Sequence, residues 1–310
     1  MKIRLGYVAI STSLDITSSK TITYTNFIKD KDYNKLCSTI NNNLDNLIEI
    51  LKYNIANNIH FYRLTSKLIP LSTIIDYDYI TPFMSKYKII SKLIKDNNLR
   101  IDVHPDQFNV LNSTNKEIVN NTIKSLEYHY KILDILNIKE KIIILHIGGN
   151  TFGKEKSISR FINNFKKLPD YLQKCIAIEN DDKIFNIIDC LKISKKLNIP
   201  IVLDYHHYIC NNDGEQIEKY IIEIFNTWHN KTPKIHFSSP KSNSKREYRS
   251  HNDYINPNTF IEFINKIKHI NIDFDIMLEA KAKDSALYKL VSQLKYLTNY
   301  KFIDETSFLI

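Results

Sequence analysis

Eight short apolar runs punctuate the chain at near-regular intervals, and they constrain its fold more than any other feature. They are IRLGYVAI (3–10), IHFYRLT (59–65), LRIDVHP (99–105), KIIILHIGG (141–149), CIAIEN (175–180), PIVLDYHH (200–207), PKIHFSS (233–239) and FDIMLEA (274–280). Such runs, apolar, rich in β-branched residues and short, have the composition of strands covered on both faces. The segments between them are amphipathic at helical spacing. Leu36, Ile40, Leu44, Leu47, Ile48 and Leu51 share one face. Val119, Ile123, Leu126, Tyr130 and Leu133 share another, behind a cap in the Ser113–Asn115 region, and Ile158, Ile162, Phe165 and Leu168 give a third. Strand and helix alternating eight times predicts parallel strands with crossover helices, and eight such units close into a (β/α)8 TIM barrel of the α/β class. An open doubly wound sheet is the structural competitor, but no GxGxxG follows the first run to support it. With no Pro/Gly/Ser linker, short-period repeat or low-complexity tail, one domain over residues 1–310 is expected.

Composition narrows the rest. No apolar run reaches the ~18 residues of a membrane span. The opening MKIRLGYVAIS is too polar for a secretory signal, so an intracellular protein without membrane association is expected. Cys37, Cys175, Cys190 and Cys210 are scattered and form no CxxC pair, which argues against a disulfide framework and against a cysteine zinc site. The net charge of +9 suits a nucleic-acid partner. The abundance of Asn, Ile, Lys and Tyr has the look of an A/T-biased genome, which inflates Lys and weakens that inference.

The chemistry collects at the C-terminal ends of the runs. The third ends in His104, the fourth in His146, the fifth in Glu179, and the sixth in Asp204 with His206 or His207; the seventh carries His236 and the eighth Glu279. In a (β/α)8 barrel these ends converge on one mouth, where the active sites of the fold lie. With 34 Asp and Glu and 10 His in 310 residues, six successive strand ends of this kind are no accident of composition. Histidines and carboxylates without a thiolate make a ligand set for Zn2+ or Mn2+ and a poor one for Ca2+ or Cu+. The donors exceed the needs of one tetrahedral ion, so two or three divalent ions are expected, bridged by Glu179. Clustered divalent ions suit phosphodiester hydrolysis, one acidifying a water while others hold phosphate oxygens. His60, His129, His229 and His269 lie away from the mouth and are read as structural. His251, in KREYRSHNDY, is either an extra ligand or a loop residue. The loop KSNSKREYR (241–249) sets Lys241, Lys245, Arg246 and Arg249 above the seventh strand, where contacts with backbone phosphates are expected.

These residues carry a resemblance. GY (6–7), HPDQF (104–108), LHIGG (145–149), IEND (178–181), the Asp204–His207 pair, PKIH (233–236) and LEAK (278–281) follow in chain order over nearly the whole length, and together they resemble the UV damage endonuclease family. That family is similar to endonuclease IV and belongs to the xylose-isomerase-like barrels, with a metal cluster at the C-terminal mouth. The resemblance implies a repair enzyme that nicks damaged double-stranded DNA immediately 5′ to a UV photoproduct. It would act as a monomer without a nucleotide cofactor, with Mn2+ ahead of Zn2+ or Mg2+ as its metal. Its place would be wherever the DNA is: a prokaryotic cytoplasm, a nucleus or a viral replication site. Carried over residue by residue, the metal ligands become His104, His146, Glu179, Asp204, His207, His236, His251 and Glu279. Glu179, Lys234 and His236 are the catalytic candidates, Lys234 matching a lysine that is a candidate for carboxylation. Gln107 and Phe108 match a Gln-Tyr pair that wedges into the duplex at the lesion, and Tyr7 matches a second aromatic there.

Two departures stand out. Phe108 replaces the family's Tyr and loses any phenol hydrogen bond. Thr73, in IPLSTIIDY, stands where a histidine is expected, which puts the number of ions in question. Three other readings remain open. An abasic-site endonuclease of the endonuclease IV type would share the ligands and lack the lesion-probing pair. A sugar isomerase or epimerase of the same barrel group would use fewer ions and gain nothing from the positive charge. A damage-binding protein with an inactive site would have no use for so many charged groups in one pocket.

Overall fold

In the computed structural model, which describes residues 1–310, all eight runs form strands. They are β1 (Lys2–Val8), β2 (Phe61–Leu64), β3 (Arg100–Val103), β4 (Ile143–His146), β5 (Ile176–Glu179), β6 (Ile201–Asp204), β7 (Lys234–Phe237) and β8 (Phe274–Leu278). Most runs overshoot their strands at the C-terminal end, because those residues turn away into the mouth loops. The strands pair in parallel in chain order, and β1 pairs with both β8 and β2. The eight parallel strands therefore close into a (β/α)8 barrel.

The outer layer follows the amphipathic segments. The helix Tyr33–Ala56 begins where the Asp32 side chain accepts the Lys35 N–H, and it buries Leu36, Ile40, Leu44, Leu47, Ile48 and Leu51. The helix Lys116–Ile135 is capped by Asn115, but its buried face is Thr122, Ser125, Leu126, Tyr128, His129, Ile132 and Leu133. Val119, Ile123 and Tyr130 lie at the margin of that face. Apolar spacing missed this rotation because polar members hold it: Thr122 Oγ1 accepts the Val110 N–H at 2.9 Å, and His129 Nδ1 bonds the Ser125 carbonyl at 2.7 Å. Two further strands, β9 (Lys301–Phe302) and β10 (Ser307–Leu309), come from the C-terminal segment. β10 runs antiparallel along Lys2–Arg4, the half of β1 that the four-residue β2 does not reach.

Strand alternation sorts the barrel's two faces. On β1, Ile3, Leu5 and Tyr7 pack outward against helices, whereas Arg4 turns inward and forms a bidentate pair with Asp275 at 2.6 and 2.7 Å. Asp275 also accepts from Arg100 at 2.6 Å. One layer nearer the mouth, Asp102 pairs with buried Lys234 and lies 3.6 Å from Arg63 Nε. On the opposite wall Ile144, Ala177 and Val202 pack with Ile142 and Trp228. Each of the first three sits two residues below a mouth residue, respectively His146, Glu179 and Asp204. The barrel interior is thus half salt-bridged and half apolar, beneath a mouth of ionisable groups.

Candidate metal centre

His146, Glu179 and Asp204 are the last residues of β4, β5 and β6, His236 lies in β7, and His104 and Glu279 follow β3 and β8 by one residue. Register puts His146 beside Glu179 and Asp204 beside His236. The run PIVLDYHH leaves the sheet at Asp204 because Asp204 caps the short helix Tyr205–Cys210, its Oδ1 accepting the His207 N–H at 2.7 Å. That turn swings the His207 ring back over the mouth. The Asn180 side chain clamps the same strand end, donating to the Asp204 carbonyl at 3.0 Å and accepting its N–H at 2.9 Å.

Glu179, 1% exposed, is the hub. Its Oε2 lies 2.8 Å from His104 Nε2 and 3.7 Å from His146 Nε2. Its Oε1 lies 2.8 Å from His236 Nδ1 and 3.6 Å from His207 Nδ1. Three donor groups result, each with its donor atoms within 4.8 Å of one another: His104, His146 and Glu179; Glu179, Asp204 and His207; Glu179, His236 and Glu279. Glu179 belongs to all three. The chemistry of this donor set fits divalent cations. Two of its members carry buried atoms with no hydrogen-bond partner, Asp204 Oδ2 and His146 Nδ1, and such atoms are rare unless a ligand serves them. His104 is pre-set in the same sense. Its Nδ1 donates to the Pro105 carbonyl at 3.0 Å, which leaves the Nε2 lone pair facing Glu179.

Burial and neighbouring charge tune these groups against one another. Burial raises the Glu179 carboxyl, but His236, His146 and His104 more than offset it and hold the group well below the usual carboxylate range. Burial, with Glu179 and Glu279 adding to it against the pull of His207, pushes Asp204 up to about 7. For His207, burial disfavours the cation, yet Asp204, Glu179 and Glu279 prevail and raise it to about 9. Burial drives His236 down to about 4, so its ring is neutral. A ligand must be free of its proton. Cation uptake near neutral pH therefore releases protons from His207 and in part from Asp204. Apparent Mn2+ affinity is expected to climb by up to about ten-fold per pH unit between about pH 7 and 9 and then flatten. Titrating Mn2+ into metal-free protein across that range checks this, and a flat profile would remove Asp204 and His207 from the ligand set.

The remaining candidates are distributed unevenly. His251 reaches the rim through a bridge to Pro240, with Nδ1 3.8 Å from Glu279 Oε2, outside the three groups. Gln107 and Phe108 are exposed on the loop after β3, Phe108 at 79%. Lys245 and Arg246 are exposed, Lys241 pairs with Glu247, and Arg249 lies 3.8 Å from Asp182. Two expectations need correction. Tyr7 is not at the mouth: it is fully buried on the helix-facing side of β1 and donates to Asn54 at 2.7 Å, because position 7 shares the parity of Ile3 and Leu5. Lys234 lies one layer below the cluster, fully buried and paired with Asp102, away from the surface that a substrate meets. Thr73 is exposed, and what β2 brings to the mouth is Arg63.

Arg63 was not foreseen. Its Nη1 donates to Glu279 Oε1 at 2.6 Å and its Nη2 to His236 Nε2. The other ring nitrogen, Nδ1, faces Glu179 Oε1 at 2.8 Å. Arg63 also lines a cavity of about 290 Å³ with His251, Glu279, Lys281 and Lys283, a basic flank beside the donor groups. The available signal was a charge inside the apolar runs IHFYRLT and LRIDVHP, at Arg63 and Asp102; an inspection of strand ends alone passes over it.

A closed (β/α)8 barrel with carboxylates and imidazoles clustered at its C-terminal mouth has the fold and the donor set of a divalent-metal enzyme. The 3-keto-D-glucoside 4-epimerase of E. coli shares this fold, with a TM-score of 0.55 over 81% of this chain and 94% of its own, at 10% identity. The family model for UV-endonuclease UvdE matches residues 3–308. A UV DNA damage endonuclease of Bacillus cereus is 42% identical over 316 residues, covering 98% of each chain. The crystal structure of SacUVDE superposes with a TM-score of 0.83 at 36% identity over 95% of this chain and 99% of its own. The chain belongs to the UV-endonuclease family.

Proposed function

We propose that the chain is an endonuclease that nicks double-stranded DNA immediately 5′ to UV photoproducts, as a monomer without a nucleotide cofactor. The observation that carries this reading is the convergence of three donor groups on Glu179 in a barrel 42% identical to a protein named UV DNA damage endonuclease. No helix is long and apolar enough to cross a membrane.

In this reading His104, His146, Glu179, Asp204, His207, His236 and Glu279 hold two or three divalent ions, with Mn2+ ahead of Zn2+ or Mg2+ and His251 completing the set from the rim. Divalent ions supply the acidified water and the neutralisation of phosphate charge that phosphodiester hydrolysis needs. The chain's own residues do the rest. Arg63 fixes the Glu279 carboxylate and the His236 ring, and Asp102 and Lys234 brace Arg63 from below as positioning residues. Lys241, Lys245, Arg246 and Arg249, with Lys281 and Lys283 beside Glu279 and His251, offer cations to backbone phosphates. Gln107 and Phe108 probe the base stack, where a damaged step opens at lower cost than an intact one.

The test is a plasmid-nicking assay with Mn2+ and supercoiled DNA that is UV-irradiated, acid-depurinated or untouched. Relaxation of the irradiated plasmid at least as fast as the depurinated one is expected. Relaxation of the depurinated plasmid alone would replace the reading with an abasic-site endonuclease.

A further inference from the structure

Phe152 has no role in the site described so far. It sits in the loop after β4, the strand next to β3, whose own loop carries Phe108. At 74% exposed it leaves nearly as much ring in water as Phe108 does. Its backbone adopts φ +65°, the left-handed region that a bulky side chain rarely enters and that stores backbone strain. A single exposed phenylalanine is unremarkable. One that is both exposed and strained, on a rigid mount at the mouth of a DNA enzyme, is not.

The mount is specific. Gly153 N–H closes a turn onto the Asn150 carbonyl at 2.8 Å, with Phe152 inside that turn. The Thr151 carbonyl beside it accepts from Arg160 at 2.6 Å and from Ser157 at 3.2 Å. Arg160 also donates to the Asn112 carbonyl at 2.8 Å, and the Asn112 side chain donates to the Gly149 carbonyl at 2.6 Å. These bonds tie the Phe152 loop to the end of the segment that carries Gln107 and Phe108. Gly148, at φ +112°, allows that approach, since a Cβ there would meet Asn112 Oδ1 at 2.3 Å. The two loops form one braced unit that presents two phenylalanine rings outward.

We propose that Phe152 is a second stacking residue of the lesion-probing surface, taking the face of an unstacked nucleobase and filling the role that buried Tyr7 cannot. The inference rests on the endonuclease reading for its ligand class, a DNA duplex with a locally weakened step. An aromatic ring suits that ligand, because stacking on a base needs no particular sequence and is worth about 1–3 kcal/mol per base. Rigid presentation avoids spending that gain on ordering the loop.

The experiment uses the full chain and duplexes carrying 2-aminopurine beside a thymine dimer, beside an abasic site, or in undamaged sequence. Fluorescence is read on binding, because 2-aminopurine brightens when its neighbour unstacks. Phe152→Ala is expected to weaken binding of a damaged duplex by about ten- to a hundred-fold and to abolish most of the fluorescence rise. Phe152→Trp is expected to keep both, and Phe152→Leu to keep the fold while losing the rise. A Phe152→Ala protein that matches the wild type in affinity and fluorescence on both damaged duplexes would overturn the proposal. If Phe152→Leu shows the full rise, the ring serves packing and the proposal also fails. A wild-type rise on the abasic duplex alone, still lost in Phe152→Ala, would change the lesion class and leave the role of Phe152 standing.

Discussion

Glu179→Gln is expected to lower nicking of irradiated duplex by roughly a thousand-fold or more, a loss of about 4 kcal/mol or above in transition-state stabilisation, with duplex binding little changed. The residue is the common member of all three donor groups, so its loss weakens every cation position at once. Each of the other ligand candidates except His251 belongs to a single group. Gln keeps the shape and one acceptor but cannot carry the charge that His104 and His236 face at 2.8 Å. Bound metal per chain, counted by elemental analysis, is therefore expected to fall together with rate. His251→Ala makes the contrast. Its ring stands outside the three groups, so a milder loss with most of the metal retained is expected. Wild-type metal content and rate in Glu179→Gln would dismantle the proposed centre. Loss of duplex binding and cooperative melting along with the rate would mean that Glu179 is a structural residue of the barrel.

The uneven legibility of this protein has physical causes. A strand end announces itself when a β-branched run stops in a charged side chain, because such a residue has no place among apolar neighbours unless something at the mouth engages it. His104, His146, Glu179, Asp204 and Glu279 meet that description, His236 lies one residue inside β7, and the mouth gathers all six. Arg63 and Asp102 do not stop their runs. They lie within strands, where a charge reads as an irregularity until register shows Arg63 beside Asp102 and the barrel wall brings Lys234 across to the same carboxylate. Cross-barrel pairing of this kind has no sequence spacing.

Tyr7 teaches the reverse lesson. The resemblance placed it by its neighbours in the motif, yet the period of two that makes Ile3 and Leu5 helix-facing applies equally to position 7 and was there to be read. Phe152 was hidden by its setting in GGNTFG, a turn sequence in which one aromatic attracts no notice. Only the exposed surface and the positive φ single it out. The helix Lys116–Ile135 was legible as a helix but not in its buried face, since Thr122 and His129 enter the core through hydrogen bonds that an apolar count ignores.

Asp102→Asn is expected to destabilise the fold by about 3–5 kcal/mol at pH 6, the cost of leaving a buried cation without its counter-charge. For a barrel of this size that corresponds to a drop in Tm of roughly 5–10 °C. Lys234 is fully buried, and burial, only partly offset by Asp102, pushes its amine down to about 7. At pH 6 the amine is thus still charged in the wild type and depends on the carboxylate. The sign follows from proton counts: the unfolded chain keeps this lysine protonated up to about 10.5, so the unfolded state binds more protons above pH 7. The Lys234 contribution to wild-type stability therefore grows as pH rises from about 7 towards 10.5. In the variant the amine loses its proton at still lower pH, so the deficit is largest where the amine is charged in both proteins and narrows as the variant amine deprotonates on the way to pH 7. Asp102→Leu with Lys234→Met removes both charges at similar volume, and recovery of most of the lost stability is expected, since an apolar pair fits a buried site at no desolvation cost. Recovery of stability need not restore nicking. Arg63 lies 3.6 Å from Asp102 while it holds Glu279 and His236, so the double variant frees the guanidinium beneath the donor groups. Thermal melts and nicking rates on the same three proteins separate the two roles. A double variant as stable and as active as the wild type would reduce the buried pair to a dispensable ornament of the barrel interior, whereas a stable but slow one would make it the support on which the mouth is aligned.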